Sequence, residues 1–136
     1  MNIRELEKKD YTKYLELIND FRPIGVSINK GQFDNLYDEI FKKDVIYVYE
    51  IIVGTVKLLI EQKIIHKLSK YGRIEDIIVK KDYRNKGIGS TMIKHIIDYC
   101  RENNFFKLSL SCSEDLSKFY QANNFKVYQL NMSQLL

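Results

Sequence analysis

The segment Arg84-Asn85-Lys86-Gly87-Ile88-Gly89 lies between the apolar run Ile74–Val79 and a helical pattern that starts near Ser90. A glycine-containing turn in that context reads as an anion cradle. At the start of a helix several backbone N–H groups lack intrahelical partners and the macrodipole is positive, so an anion is stabilised without dedicated side chains. Gly87 and Gly89 have no Cβ, which allows a tight turn and lets a pyrophosphate approach the amides, while Arg84 and Lys86 add positive charge. Two nucleotide templates do not fit. The Walker A pattern needs Gly-x-x-x-x-Gly-Lys-Ser/Thr, and the dinucleotide fingerprint needs a third Gly and an acidic residue about twenty positions further on.

At 136 residues the chain reads as a single domain, 1–136, able to bury one core without disulfide staples. Its formal charge of +4 suits an anionic ligand, but the excess is small and scattered, with no basic helix face or arm, so no nucleic-acid partner is expected. Cys100 and Cys112 are compatible with a reducing cytoplasm, and with only His66 and His95 beside them no zinc pair is spaced to form, so no metal is expected. No apolar run is long enough to span a membrane and the first ten residues are too charged for a signal peptide; a cytoplasmic protein with no membrane partner is the expectation.

Asn2–Leu6 reads as a short strand, Asp10–Asn19 as a helix with Asp10 as its cap, and Gly31–Lys42 as a second helix with Phe33, Leu36, Tyr37, Ile40 and Phe41 on one face. Val45–Tyr49, Val53–Gln62 and Arg73–Val79 are rich in β-branched and aromatic residues and suggest an antiparallel meander. Ser90–Asn103 has the apolar stripe of a helix, Phe106–Cys112 reads as a strand, Leu116–Asn123 as a short helix and Val127–Met132 as a last strand. The order β-α-α-β-β-β-α-β-α-β gives an α/β fold.

Arg-x-x-Gly-x-Gly after a strand resembles the acetyl-CoA pyrophosphate loop of the GNAT acetyltransferases, and the element order is that family's. From Leu58 to Phe125 the chain is also similar to the glucosamine-6-phosphate N-acetyltransferase family within it. The similarity is carried by Ile60-Glu61-Gln62-Lys63-Ile64-Ile65-His66, Ile74-Glu75-Asp76-Ile77-Ile78-Val79, the glycine loop, and Phe119-Tyr120 followed by Phe125. The resemblance implies an acyl-CoA N-acyltransferase fold: a mixed, mostly antiparallel sheet flanked by helices. It also implies acetyl-CoA as co-substrate, D-glucosamine 6-phosphate as acceptor, direct attack in a ternary complex, and a homodimer whose sugar site is built partly from the neighbour.

Acetyl transfer to an amine requires a neutral amine, stabilisation of the developing oxyanion, and protonation or shielding of the departing thiolate. Tyr120 is the candidate for the last task. From position alone it reads as a core aromatic beside Phe119; the resemblance supplies the catalytic role. Glu75 and Asp76 are adjacent in a strand, so their side chains should point to opposite faces, and a carboxylate facing the core would need a partner or a ligand. A structural ion pair explains that equally; the resemblance implies that the pair binds the amino sugar near its amine and orders a water that accepts the proton. It further implies cofactor contacts from Ile77, Ile78 and Val79 as a strand edge for the pantetheine arm, from Arg84, Asn85, Lys86, Gly87, Ile88, Gly89 and Ser90, and from Tyr120. For the substrate phosphate it points to Lys63 and His66, to Lys107 on the next strand, and to Arg22 in the loop bordering the sugar site.

Several positions depart from the family pattern. Leu110-Ser111-Cys112 stands where relatives carry Leu-Asp-Cys, and Ser111 can hydrogen-bond but supplies no charge. Leu116 replaces an Asn, Asn123-Asn124 replaces Cys-Gly, and the tail lacks a terminal Arg. Two other functions stay open: acetyl transfer to another primary amine such as a polyamine, antibiotic or peptide, and a non-catalytic CoA-binding module. The latter would need the glycines but not Glu75, Asp76 or Tyr120.

Overall fold

The computed structural model describes residues 2–136. Five strands lie in the spatial order β1 (Ile3–Glu5), β2 (Val45–Tyr49), β3 (Gly54–Gln62), β4 (Lys70–Val79) and β5 (Phe105–Ser109). The first four are antiparallel to their neighbours and β5 runs parallel to β4. Helices α1 (Tyr11–Phe21) and α2 (Lys30–Phe41) separate β1 from β2, and α3 (Ile65–Leu68) is a single turn between β3 and β4. Helix α4 (Ile88–Glu102) makes the crossover to β5, and α5 (Glu114–Ala122) follows. This is the mixed, mostly antiparallel sheet that the resemblance implies.

Alternation along β2 shows why both faces are covered. Ile46 and Val48 pack with Leu17 of α1 and Phe33 of α2, whereas Tyr47 packs with Met92 and Ile96 of α4 on the opposite face. On α4, Ile88, Met92, Ile93, Ile96 and Cys100 are buried at helical spacing, so one amphipathic helix closes one side of the sheet.

Strand β4 breaks its own alternation. Thr55 pairs with Ile78 and Lys57 with Glu75, so one residue of β3, Val56, faces two of β4, and Asp76 within that bulge is left-handed at φ 53°. The extra residue switches faces: Ile74 belongs to the α4-side core and Ile78 to the α1/α2-side core, although they are four apart.

Three expectations need correction. Helix α4 begins at Ile88, so Ile88 and Gly89 form its first turn. Asp10 does not cap α1 with its side chain, because its carboxylate accepts hydrogen bonds from Arg4 Nη1 and Nη2 at 2.7 and 3.0 Å and from the Glu7 amide at 2.8 Å. The last strand, Val127–Met132, does not form: Val127, Leu130 and Met132 are 83, 92 and 89% exposed. A strand needs a ladder partner, and among the described residues this tail has none.

Candidate active site

Gly87 caps α4 with a left-handed backbone (φ 80°, ψ 7°) that a side chain would strain, although a Cβ there would meet no atom within 4 Å. The first helical bond runs from the Thr91 amide to the Gly87 carbonyl at 3.0 Å, and no side chain caps the helix. The amides of Ile88, Gly89 and Ser90 consequently have no hydrogen-bond acceptor among the described residues, the arrangement that suits an anion at a helix start. Arg84 braces the loop, its Nε donating to the Val79 carbonyl at 3.0 Å, and the Lys86 ammonium lies 5.4 Å from the Tyr83 ring centre. Gly89 has a different reason for being glycine than an open cradle would give. A Cβ there would lie 3.3 Å from Phe119 Cζ, so its small size lets α5 close onto α4.

Strands β4 and β5 pair only from Lys70–Phe105 to Arg73–Ser109, after which they part. On that side the β4 backbone from Ile74 to Val79 has no strand neighbour among the described residues, which leaves Ile77, Ile78 and Val79 as an open edge leading to the loop. The fork opens into a cleft of about 530 Å³ lined by Glu75, Asp76 and Ile77 on one wall, Ser111 and Tyr120 on the other, and Arg22 from the end of α1.

Tyr120 owes its position to the end of α5. The Phe125 amide donates to the Tyr120 carbonyl at 3.1 Å and the Asn124 amide to the Gln121 carbonyl at 3.0 Å, with Asn124 left-handed at φ 72°. These bonds form a Schellman cap, with asparagine where glycine is commonest and Phe125 edge-on to Tyr120 at 6.2 Å between ring centres. Phe119 flanks the phenol from the other side at 5.0 Å. Burial, and then the nearby Cys112, push its pKa above the usual 10.0, so the phenol is a proton-bearing donor throughout the physiological range.

The two carboxylates do not divide between core and solvent. Glu75 is half-buried, Asp76 is exposed, and both line the cleft, because the bulge at Asp76 breaks the alternation that would have separated them. Glu75 Oε1 accepts from Arg73 Nε at 2.8 Å, and Arg73 Nη2 donates to Ser111 Oγ at 2.6 Å. Asp76 faces α1, where burial and then the Asp76 charge push the Tyr14 phenol up. Sequence reasoning missed Arg73 and Tyr14. The i, i+2 spacing of Arg73 and Glu75 on one strand face was the available signal for the first; only tertiary packing could show the second.

Lys63, His66 and Lys107 gather elsewhere. The ammonium groups of Lys63 and Lys107 lie 4.8 and 4.7 Å from the Tyr71 ring centre, and the His66 ring stacks on Phe106 at 3.7 Å. This platform stands at the start of β4 and β5, roughly 13 Å along β4 from Glu75 at ~3.3 Å per residue, and none of the three lines the cleft. Beside it Ile64, Ile65, Leu68 and Phe106 are exposed.

Among the described residues no group of three or more His, Cys, Asp or Glu is arranged to hold a metal, and no helix is long and apolar enough to cross a membrane. The sequence profile of the acetyltransferase (GNAT) family matches residues 3–125. The glucosamine 6-phosphate N-acetyltransferase of Candida albicans is 32% identical over 131 residues, covering 90% of this chain and 87% of that protein. A probable glucosamine 6-phosphate N-acetyltransferase of Drosophila melanogaster is 30% identical over 130 residues; the match covers 90% of this chain but 59% of that longer protein. The crystal structure of glucosamine-6-phosphate N-acetyltransferase from Arabidopsis thaliana superposes with a TM-score of 0.91 at 30% identity, covering 98% of this chain and 96% of that one. Similarity that extends from the first strand through Phe125, far beyond a single loop motif, leads to one conclusion: the chain belongs to the acetyltransferase (GNAT) family.

Proposed function

We propose that the protein transfers the acetyl group of acetyl-CoA to the primary amine of D-glucosamine 6-phosphate, giving N-acetylglucosamine 6-phosphate by direct attack in a ternary complex. The observation that carries this reading is a single cleft holding Glu75, Asp76, Ser111, Tyr120 and Arg22 beside an open strand edge that ends at a helix with free amides. The names of the Candida and Arabidopsis relatives support the acceptor.

In this reading the loop from Arg84 to Ser90 holds the pyrophosphate on the free amides of Ile88, Gly89 and Ser90, and the β4 edge at Ile77–Val79 pairs with the pantetheine arm. Acetyl-CoA supplies the activated acyl group as a thioester. Glu75 and Asp76 bind the acceptor near its ammonium and order the water that takes its proton. Tyr120 donates a hydrogen bond to the leaving sulfur. Arg22, which lines the cleft, is the candidate cation for the sugar phosphate.

The Lys63, His66 and Lys107 platform lies outside the cleft, and this bears on assembly. The chain works as one N-acetyltransferase domain in a cytoplasmic homodimer, in which the platform of one copy serves the acceptor site of the other. Support comes from the exposed apolar residues Ile64, Ile65 and Leu68 at the platform rim and from the unpaired apolar tail around Leu130. The free thiols of Cys100 and Cys112 suit that compartment. The same displacement of the platform also favours a second reading, acetyl transfer to another primary amine whose remainder carries no phosphate. Thiol release from acetyl-CoA with a panel of amines separates the two: glucosamine 6-phosphate is expected to be the best acceptor, glucosamine without its phosphate markedly poorer. Equal rates with both would favour the second reading, and no thiol release with any amine would remove the enzyme assignment.

A further inference from the structure

We infer that Arg73 is a positioning residue of the acceptor site, a clasp at the closed end of the β4–β5 fork that sets the geometry of Glu75 and the hydrogen-bonding sense of Ser111. The inference rests on the cleft being the acceptor site. Arg73 is the last residue of β4 paired to β5, opposite Ser109. Its guanidinium spans the fork just where the two strands part. Nε holds Glu75 Oε1 at 2.8 Å on the β4 wall, and Nη2 holds Ser111 Oγ at 2.6 Å on the β5 side.

The chemistry follows from what each group can do. A guanidinium only donates, so Ser111 Oγ is fixed as its acceptor and the Ser111 hydroxyl hydrogen must point away from Arg73. The wall at Ser111 therefore offers the acceptor molecule a hydrogen-bond donor, suited to a hydroxyl or ether oxygen. Glu75 is held through one carboxylate oxygen, which confines a side chain that would otherwise sample several rotamers and leaves its second oxygen for the amine. One planar fork sets both walls; a lysine ammonium has donors enough but no rigid fork to fix the two contacts at a set separation. The ion pair itself is partly exposed and contributes little to stability, so its importance lies in placement.

The test is steady-state kinetics and thermal melting of full-length wild type, Arg73→Ala, Arg73→Lys, Glu75→Gln and the Arg73→Ala/Glu75→Gln double variant, with the amine that wild type acetylates best. Arg73→Ala should lower kcat/KM for the acceptor by about tenfold to a hundredfold, the scale of a misplaced reactive group. The KM for acetyl-CoA and the melting temperature should stay at wild-type values, and Arg73→Lys should recover part of the loss. Because Arg73 acts in part through Glu75, adding Arg73→Ala to Glu75→Gln should cost less than Arg73→Ala alone costs in wild type. Wild-type kinetics in Arg73→Ala, an equal loss toward acetyl-CoA, or a full independent penalty in the double variant would each overturn the inference while leaving the acetyltransferase reading intact. A wild type that acetylates no amine overturns both.

Discussion

Tyr120 combines a fixed ring with a phenol that keeps its proton, and those two properties make separate demands on a substitution. Phenylalanine preserves the packing against Phe119 and Phe125 and removes only the donor. Tyr120→Phe should therefore lower kcat by about a hundredfold to a thousandfold, the lower part of the range of a proton donor to a leaving group, with acetyl-CoA affinity and melting temperature unchanged. A Phe variant as fast as wild type would make Tyr120 a packing residue only. The two glycines of the loop are expected to separate in a similar way. Gly87 has room for a side chain but a backbone that disfavours one, so Gly87→Ala should cost about 1 kcal/mol of stability in a denaturant melt through strain alone. Gly89 has an ordinary helical backbone but Phe119 in the way, so a larger residue there should loosen the α4–α5 contact and, through it, the free amides. Arg84-x-x-Gly-x-Gly was legible in the chain as a turn opening a helix; that its second glycine answers to an aromatic ring thirty positions away was not, because the ring arrives only when α5 docks.

Among the elements, α5 illustrates how a cap can serve a site. The Schellman bonds at Asn124 and Phe125 terminate the helix and at the same time hold Tyr120 against Phe125. Asn124→Gly should keep this arrangement, since glycine accepts φ 72° without strain, whereas Asn124→Ala should cost about 1–2 kcal/mol and reduce kcat by freeing the Tyr120 ring. If the alanine variant melted lower yet kept its full kcat, the cap would be structural and no more. Strand β4 carries the other device. Its apolar and β-branched residues mark it as a strand in the sequence, but nothing in Ile74-Glu75-Asp76-Ile77-Ile78 announces the bulge at Asp76 that turns both carboxylates into one cleft. Strict alternation places them on opposite faces; the ladder with β3, with Val56 facing two residues, decides otherwise.

For the whole molecule, the phenols make an alkaline limit. Tyr14, Tyr47 and Tyr120 are each held above their usual pKa, chiefly by burial, so above pH 10 the unfolded chain ionises while the native one stays protonated. Native stability from these groups is complete below pH 10 and is lost as pH rises through their folded-state values. The melting temperature should accordingly fall on raising the pH above 10, and a flat profile from pH 9 to 11.5 would contradict it. The exposed tail makes a prediction about assembly. Leu130 is 92% exposed in the single chain, so if the proposed homodimer uses the tail, Leu130→Asp should leave the fold intact and shift sedimentation toward monomer; an unchanged dimer would move the interface away from the tail. The tail also marks where sequence and structure part. Strand propensity from Val127 to Met132 is a property of the residues, but a strand exists only where a neighbour supplies the ladder. The chain alone determined the order of elements from β1 to α5, apart from the short turn at Ile65–Leu68, and the glycine turn that opens α4, since each follows from local periodicity or turn chemistry. Tertiary structure alone decided which charges meet. The parting of β4 from β5 opened the cleft, the bulge placed Glu75 and Asp76 together, Arg73 came to bridge Glu75 and Ser111, and Lys63, His66 and Lys107 were set apart around Tyr71, because pairings between distant residues depend on strand register that no local pattern encodes.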